Sequence, residues 1–242
     1  MSKVLMSNEE IEELAETMIT DYIGSDSEWI LVYFDIELFI SEYLGLNIVE
    51  AEFAENDFNK VGFFSDGIRP LKVYQNGKIV SVRYPKNTVV IDPRVKETTG
   101  TGSYRFTLAH EAAHYILDKV SGQKLNASFK TEYDNEKTYK IEELKDFLTA
   151  KEWLADKLAA AILMPRYALE ELVFDTFKSK RVKIYGNSLF ENSDSEKINV
   201  LAKKLGVSRQ ALLIRLRTLK LYENHPANEY LKILNIGGTS NA

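Results

Sequence analysis

The chain has 242 residues, of which 45% are hydrophobic and 28% are charged, and this composition predicts one globular domain, alone or with a small appendage. Its 31 lysines and arginines against 36 aspartates and glutamates give a net charge of -5. This balance excludes a general attraction to nucleic acid or anionic lipid, although it allows a local basic patch. The absence of cysteine excludes disulfides, thiolate zinc ligands and a cysteine nucleophile.

The first residues and the longest apolar runs predict a soluble cytoplasmic protein with no membrane association. Residues 1–16 carry five glutamates and lack the apolar stretch of a signal peptide. The longest uninterrupted apolar runs, Trp29–Phe34 and Leu158–Met164, are far shorter than the ~20 residues that span a bilayer.

The first third of the chain predicts two helices followed by short strands. Apolar residues at helical spacing predict a helix from Asn8 to about Gly24 and a second over Asp35–Tyr43. The residues Gln75-Asn76-Gly77-Lys78 predict a hairpin turn. The strand candidates are Asn47–Phe53, Lys72–Tyr74, Ile79–Tyr84 and Thr88–Ile91.

The rest of the chain predicts mostly helix, with a polar surface loop at residues 123–140. The predicted helices are Ser103–Val120, Glu142–Leu163, Tyr167–Phe177 and, after a linker at Gly186–Ser195, a pair across Ile198–Leu219. The fold class is therefore α+β, mostly helical, with a small β-sheet that covers one side of a site between two helices. We expect a main domain at residues 1–185, a helix-turn-helix-like hairpin at 195–222 and a tail at 223–242 that frays after His225-Pro226.

The string His110-Glu111-Ala112-Ala113-His114 indicates a metal site. Residues i and i+4 share a face of a helix, so His110 and His114 point to one spot. Two imidazoles and a carboxylate suit Zn²⁺ and leave a fourth position open for water. Glu111 lies about 100° round the helix, where it can act as a general base without being a ligand. The competing interpretation is a pair of ordinary histidines on an amphipathic helix.

Two acidic residues on the next long helix are candidates for the rest of this site. Glu152 would complete a set of two histidines and one glutamate, and Asp156, one turn on, could accept the second ring N–H of a ligating histidine. Acidic residues on helix faces are usually solvated, but this helix is largely apolar, and a carboxylate pair there favours a partner. We expect one Zn²⁺ per chain, although the same ligands accept Mn²⁺ or Fe²⁺.

A basic segment near the C-terminus suggests a second type of function. Residues 196–220 hold seven basic residues and one acidic residue, with Gly206 at a helix-turn-helix spacing. Arg209, Arg215 and Arg217 are then candidate nucleic-acid contacts. The alternative is a helical hairpin that packs through its leucines, and the acidic charge of the whole chain favours that alternative.

Three segments resemble the ImmA/IrrE family of metallopeptidases. They are Arg105–Tyr115, Glu152–Pro165 and Gly206–Leu216, and they stand in the family order. The resemblance extends from about residue 8 to residue 220. Asp156 stands where the family frequently has asparagine, and Ala113 where it frequently has glycine; neither departure removes a ligand.

The resemblance implies a zincin-like domain and a zinc-dependent protease. It implies that His110, His114 and Glu152 bind the metal and that Glu111 is the base that assists the attack of water held at the zinc. It also implies a protein substrate, a helix-turn-helix transcriptional repressor that the enzyme cleaves to derepress genes. Two alternatives stay open: a DNA-binding regulator, and a regulator with this fold that binds a partner without proteolysis.

Overall fold

The computed structural model describes residues 6–24, 33–54, 60–120, 122, 128–131 and 150–234, which belong to two compact units. The first unit extends to Pro165 and the second begins at Arg166. The helix predicted at Tyr167–Phe177, which the sequence analysis assigned to the main domain, therefore belongs to the second unit. Helices predominate and the sheets are small, which confirms the mostly helical α+β class.

The first unit contains five α-helices and six strands among its described residues. The helices are α1 (Asn8–Ile23), α2 (Ile36–Leu38, which continues into a π-helical turn at Phe39–Tyr43), α3 (Arg94–Thr98), α4 (Thr101–Val120) and α5 (Ala150–Leu163). The strands are β1 (Asn47–Glu50), β2 (Lys60–Ser65), β3 (Leu71–Gln75), β4 (Lys78–Val82), β5 (Thr88–Ile91) and β6 (Ser128–Thr131).

Helix α1 begins at a capping box and packs against α5. The Ser7 hydroxyl accepts from the Glu10 backbone N–H, and the Glu10 carboxylate accepts from the Ser7 N–H, so two otherwise unpaired donors are satisfied. Ile11, Ala15 and Ile19 are buried at a spacing of four residues, so this helix supports α5 with one apolar stripe.

The main sheet has the strand order β1-β5-β2-β6. Strand β1 runs parallel to β5, and β2 runs antiparallel to both of its neighbours, β5 and β6. Helix α4 packs against β2 and β5, and it also packs against α5. Phe64 of β2 contacts Tyr115 of α4, with 5.8 Å between the ring centroids. Its neighbour Phe63 belongs to a core cluster with Leu71 and Val73 of the β3–β4 hairpin. Strand β2 is therefore covered on both faces.

The hairpin turn predicted at Gln75–Lys78 is confirmed. Strands β3 and β4 pair antiparallel, with Gln75 opposite Lys78. Asn76 and Gly77 have φ angles of 50° and 72°, the left-handed conformations that a two-residue type I′ turn requires.

The second unit consists of helices around a pair of parallel strands. Its elements are α6 (Arg166–Phe177), β7 (Val182–Tyr185), α7 (Asn192–Leu205), α8 (Arg209–Thr218), β8 (Tyr222–His225) and α9 (Ala227–Ile233). The two helices predicted across residues 198–219 are confirmed: Gly206 at φ 65° ends α7, and the Ser208 hydroxyl caps α8.

Several expectations were wrong or fall outside the described residues. Of the tail expected to fray after His225-Pro226, Ala227–Ile233 form α9, and residues 235–242 lie outside the described residues. The predicted linker overlaps the start of α7. Of the loop predicted at 123–140, residues 128–131 form β6 and the rest lie outside the described residues, as do residues 142–149 of the predicted long helix. In the part of the chain that the structure describes, no helix is both long and apolar enough to cross a membrane.

Asp92, directly after β5, ties the segment after β1 to the start of α3. Its buried carboxylate accepts from the Phe53 backbone N–H at 2.9 Å and pairs with Arg94, which also donates to the Phe53 carbonyl at 2.7 Å. We expect Asp92→Ala to lower the free energy of unfolding by about 2–3 kcal/mol, because a buried charged acceptor is lost. Urea unfolding measures the change in the free energy of unfolding, and Glu97→Ala, at an exposed position of α3, is the control. Equal unfolding midpoints for the two variants would contradict the prediction.

Candidate metal centre

Helix α4 supplies two buried histidines that face the same point. His110 and His114 are each 1% exposed and stand one helical turn apart. Their Nε2 atoms lie 3.0 Å apart, and their ring centroids are 4.7 Å apart. Because the buried side chains of α4 lie between β2 and α5, the sequence places both imidazoles inside the unit.

Helix α5 adds the carboxylate of Glu152 to this point. One of its oxygens lies 3.1 Å from His110 Nε2, and the other lies 3.2 Å from His114 Nε2. The ligand atoms of His110, His114 and Glu152 all lie within 4.8 Å of one another, the one group of metal-ligating side chains found among the described residues. The structure thus brings together the three residues that the sequence predicted as ligands.

Asp156 orients His110 by contacting Nδ1, the ring nitrogen that does not face Glu152 and His114. Its Oδ1 lies 2.8 Å from His110 Nδ1, and since a carboxylate only accepts, Nδ1 must carry the proton. In the neutral ring Nε2 then holds a lone pair, and it is this nitrogen that faces Glu152 and His114. The role of Asp156 in orienting a metal-ligating histidine stays a prediction, and this contact is the one it requires.

The electrostatics of the site keep Glu152 ionised. Without a metal, burial raises the pKa of Glu152, but the hydrogen bonds and positive charges of protonated His110 and His114 lower it by more than burial raises it, to about 2. Because this value lies below the ordinary value of 4.5, the carboxylate stabilises the folded state fully above pH 4.5, and the stabilisation is lost as the pH falls toward 2.

This arrangement of donors fits a divalent metal ion. Two imidazole nitrogens and a carboxylate converge on one point, and imidazole with carboxylate is a donor set that Zn²⁺ accepts. The opposite nitrogen of His110 is held by Asp156, as is usual for a metal-ligating histidine. The residues present therefore fit the cofactor that the sequence predicts.

Glu111 lies between α4 and the sheet, against a glycine of β2. The residue is 0% exposed. A Cβ atom placed on Gly62 would lie 2.9 Å from Glu111 Oε1 and 2.6 Å from Thr107 Cγ2. Strand β2 can approach Glu111 this closely because residue 62 has no side chain. This contact was not predicted from the sequence, where its one signal is a glycine inside an apolar run.

We expect Gly62→Ala to lower both stability and peptidase activity. The added methyl group must displace Thr107 or the Glu111 carboxylate, and overpacking of this kind costs about 1–3 kcal/mol. The double variant Gly62→Ala/Thr107→Ser removes the nearest methyl group and should recover stability but not activity. Thermal unfolding and peptide hydrolysis measure the two effects; full activity in the single variant would contradict the expectation.

An ion pair holds the start of α5 on α4. Lys151 Nζ lies 2.7 Å from Oδ1 of Asp118, which is 3% exposed and stands one turn after His114. Lys151 directly precedes Glu152, so this pair fixes the helix end that carries the third candidate ligand. The sequence analysis missed it because neither residue belongs to the motifs.

We expect Lys151→Met to weaken zinc binding by about 10-fold, within the range of outer contacts that orient a ligand. A competition titration with a zinc-binding dye measures the affinity. Lys119→Met, the same change at an exposed position of α4, is the control and should bind zinc as the wild type does. Equal affinity in both variants would show that the ion pair does not position Glu152.

The basic residues predicted to contact nucleic acid lie in the second unit, and they differ in exposure. Arg215 is 1% exposed, so its guanidinium offers no surface to a phosphate. Arg209 is exposed and contacts Ser195 Oγ at 3.3 Å, and Arg217 is exposed and donates to the Asn187 carbonyl at 3.2 Å. The structure therefore does not assemble these three arginines into one exposed row.

The fold and the site together define a class of protein. A glutamate between two buried histidines on one helix, with a carboxylate from the next helix as the third candidate ligand, is the arrangement of metallopeptidases. The family model described as the IrrE N-terminal-like domain, a peptidase family, matches residues 41–217, and the chain belongs to this family. The resemblance identified from the sequence is thus confirmed. No curated protein matches the chain.

Proposed function

We propose that the chain is a zinc-dependent endopeptidase that cleaves a protein partner, a helix-turn-helix transcriptional repressor. The observation that carries this proposal is the convergence of His110, His114 and Glu152 next to the buried Glu111. The membership in a peptidase family supports the reaction class. The repressor as substrate rests on the resemblance to the ImmA/IrrE family, and a repressor would place the reaction in the cytoplasm.

The proposed mechanism uses Glu111 as the group that moves protons. A Zn²⁺ held by His110, His114 and Glu152 would supply Lewis acidity, which would polarise a scissile carbonyl and lower the pKa of a water to roughly 7. Glu111 accepts the proton of the attacking water and later delivers it to the leaving amine. Its burial against Gly62 keeps the carboxylate in one orientation and away from bulk water.

The other residues of the site orient the ligands in this proposal. Asp156 accepts from His110 Nδ1 and so keeps Nε2 unprotonated and aimed at the metal position. Lys151 and Asp118 hold the N-terminal turn of α5, and with it Glu152, on α4. These contacts exist before a substrate arrives, as preorganised sites require.

The experiment that tests this function is cleavage of candidate substrates by the zinc-loaded protein. Casein and purified helix-turn-helix repressors are incubated with it, and fragments are identified by mass spectrometry. We expect defined fragments from a repressor that disappear with a zinc chelator. Fragments of casein alone would support a peptidase with another substrate. A repressor that stays intact yet bound would support the regulator that acts by binding.

The geometry of the second unit partly supports the alternative function, DNA binding. Helices α7 and α8 meet at Gly206 in a left-handed conformation, and Ser208 caps the second helix, as in helix-turn-helix motifs. The burial of Arg215 opposes it. An electrophoretic mobility shift at low salt tests this function; a shift that is lost in Arg209→Gln would support it, and the absence of any shift would exclude it.

A further inference from the structure

A polar pocket opens on one face of the parallel β7–β8 pair, within the second unit. It measures about 420 Å³, within the range of roughly 300–1,000 Å³ typical of small-molecule sites. Its lining residues are Ile184, Gly186, Asn187, Arg217, Lys220, Tyr222 and Asn224. The register pairs Ile184 with Asn224 and Val182 with Tyr222, so neighbouring positions of the two strands build the floor.

The pocket is positively charged, because its lining includes two basic residues and no acidic one. Arg217 and Lys220 are exposed, and among the described residues neither forms an ion pair with a carboxylate. The alternation of side chains along β8 places Glu223 on the opposite face, where it contacts His225 at 3.0 Å. Two cations thus line a cavity whose other polar side chains are Asn187, Asn224 and Tyr222.

Lys220 stands at a backbone position that favours glycine. Its φ angle is 59°, and its N–H donates to the Arg217 carbonyl at 3.1 Å to close the end of α8. Glycine is the usual residue at a left-handed position after a helix, because any Cβ there is strained. Lys220 nevertheless occupies this position, and its side chain lines the pocket.

The floor of the pocket is apolar, and its side chains are held in place by packing and by a hydrogen bond. Ile184 and Tyr222 are buried, and the Tyr222 hydroxyl donates to the Leu213 carbonyl at 3.0 Å. Burial raises the pKa of Tyr222 to about 12, so the phenol stays neutral next to the cations. The pocket therefore combines an apolar floor, two cations and two amides, from Asn187 and Asn224, that can donate or accept hydrogen bonds.

We infer that this pocket binds a phosphate-bearing small molecule of about mononucleotide size. Arg217 and Lys220 would contact the phosphate, the asparagines would bind the polar edge of the organic part, and Ile184 and Tyr222 would pack against its apolar face. A concave pocket of this size suits a small phosphate ester better than the backbone of a duplex, whose phosphates lie on a convex surface. The site is independent of the proposed peptidase.

The test is calorimetric titration of the full chain with AMP and GMP, next to adenosine, inorganic phosphate and a 20-base-pair duplex. We expect binding of a mononucleotide and at least about 10-fold weaker binding of the nucleoside without phosphate. Lys220→Gly removes the cation and also suits the backbone, so it should weaken binding about 10-fold without loss of stability. Asn187→Asp, which adds a carboxylate to the rim, should weaken it as well.

The control variant is Lys178→Gly. Lys178 is an exposed lysine of the same unit with a φ angle of 52°, so the substitution makes the same change of charge and backbone away from the pocket. Its affinity should equal that of the wild type. The inference is overturned if no mononucleotide binds up to about 1 mM, if adenosine or inorganic phosphate binds as tightly, if only the duplex binds, or if both lysine variants behave alike.

Discussion

Glu111→Gln is expected to abolish peptide hydrolysis while the protein keeps its zinc. The amide has nearly the same shape as the carboxylate, so it still fits between α4 and Gly62. It cannot accept the proton of the attacking water at neutral pH, and loss of a general base costs about 10²–10⁴-fold in rate. The metal content should stay at the wild-type level, because Glu111 is not among the three candidate ligands.

The measurement pairs a fluorogenic peptide assay with metal analysis of the same samples. Glu97→Gln, the same substitution at an exposed position of α3, is the control for a nonspecific effect of lost charge. Thermal unfolding shows whether the variant keeps the wild-type fold. Full hydrolysis in a folded, zinc-loaded Glu111→Gln protein would exclude Glu111 as the base. Loss of zinc together with activity would indicate that Glu111 has a structural role at the site.

The two pairs of residues in the candidate site were predictable because each pair follows from the spacing along its own helix. A spacing of four residues forces His110 and His114 onto one face, whatever surrounds the helix. The same rule placed Glu152 and Asp156 together, and the structure brings all four residues into contact. What the spacing could not provide is the contact across elements: the pairing of Lys151 with Asp118 depends on how α5 packs on α4.

The strands show why part of the fold could not be predicted. Strands β3 and β4 were recognised because a turn with Asn76 and Gly77 joins them and because one face is exposed. Strand β2 was missed, although it lies within the main sheet. Its residues are almost all buried, so no alternation of polar and apolar residues marks it, and Gly62 interrupts the apolar run. The same glycine is required for the approach to Glu111.

His114→Ala is expected to remove the metal and the activity together. Loss of one of the three candidate ligands should weaken zinc binding by at least about 100-fold, which is more than the 10–100-fold effect of residues that only orient a ligand. Glu152→Gln should have an effect of the same kind, because the amide loses the charge that Glu152 keeps through its pKa of about 2. The exposed Glu171→Gln on α6 is the matched control and should bind zinc normally.

The pH dependence of zinc affinity should distinguish the contribution of the two histidines from that of Glu152. An imidazole nitrogen must be unprotonated to bind a metal, so zinc affinity should fall as the pH is lowered from 7 to about 5. Glu152 contributes little to that fall, because a carboxylate with a pKa of about 2 is ionised throughout this range. Zinc titrations at several pH values, with metal analysis of each variant, measure this. A wild type that binds no zinc at pH 7, or a His114→Ala variant with wild-type affinity, would show that the converging donors are not a metal site.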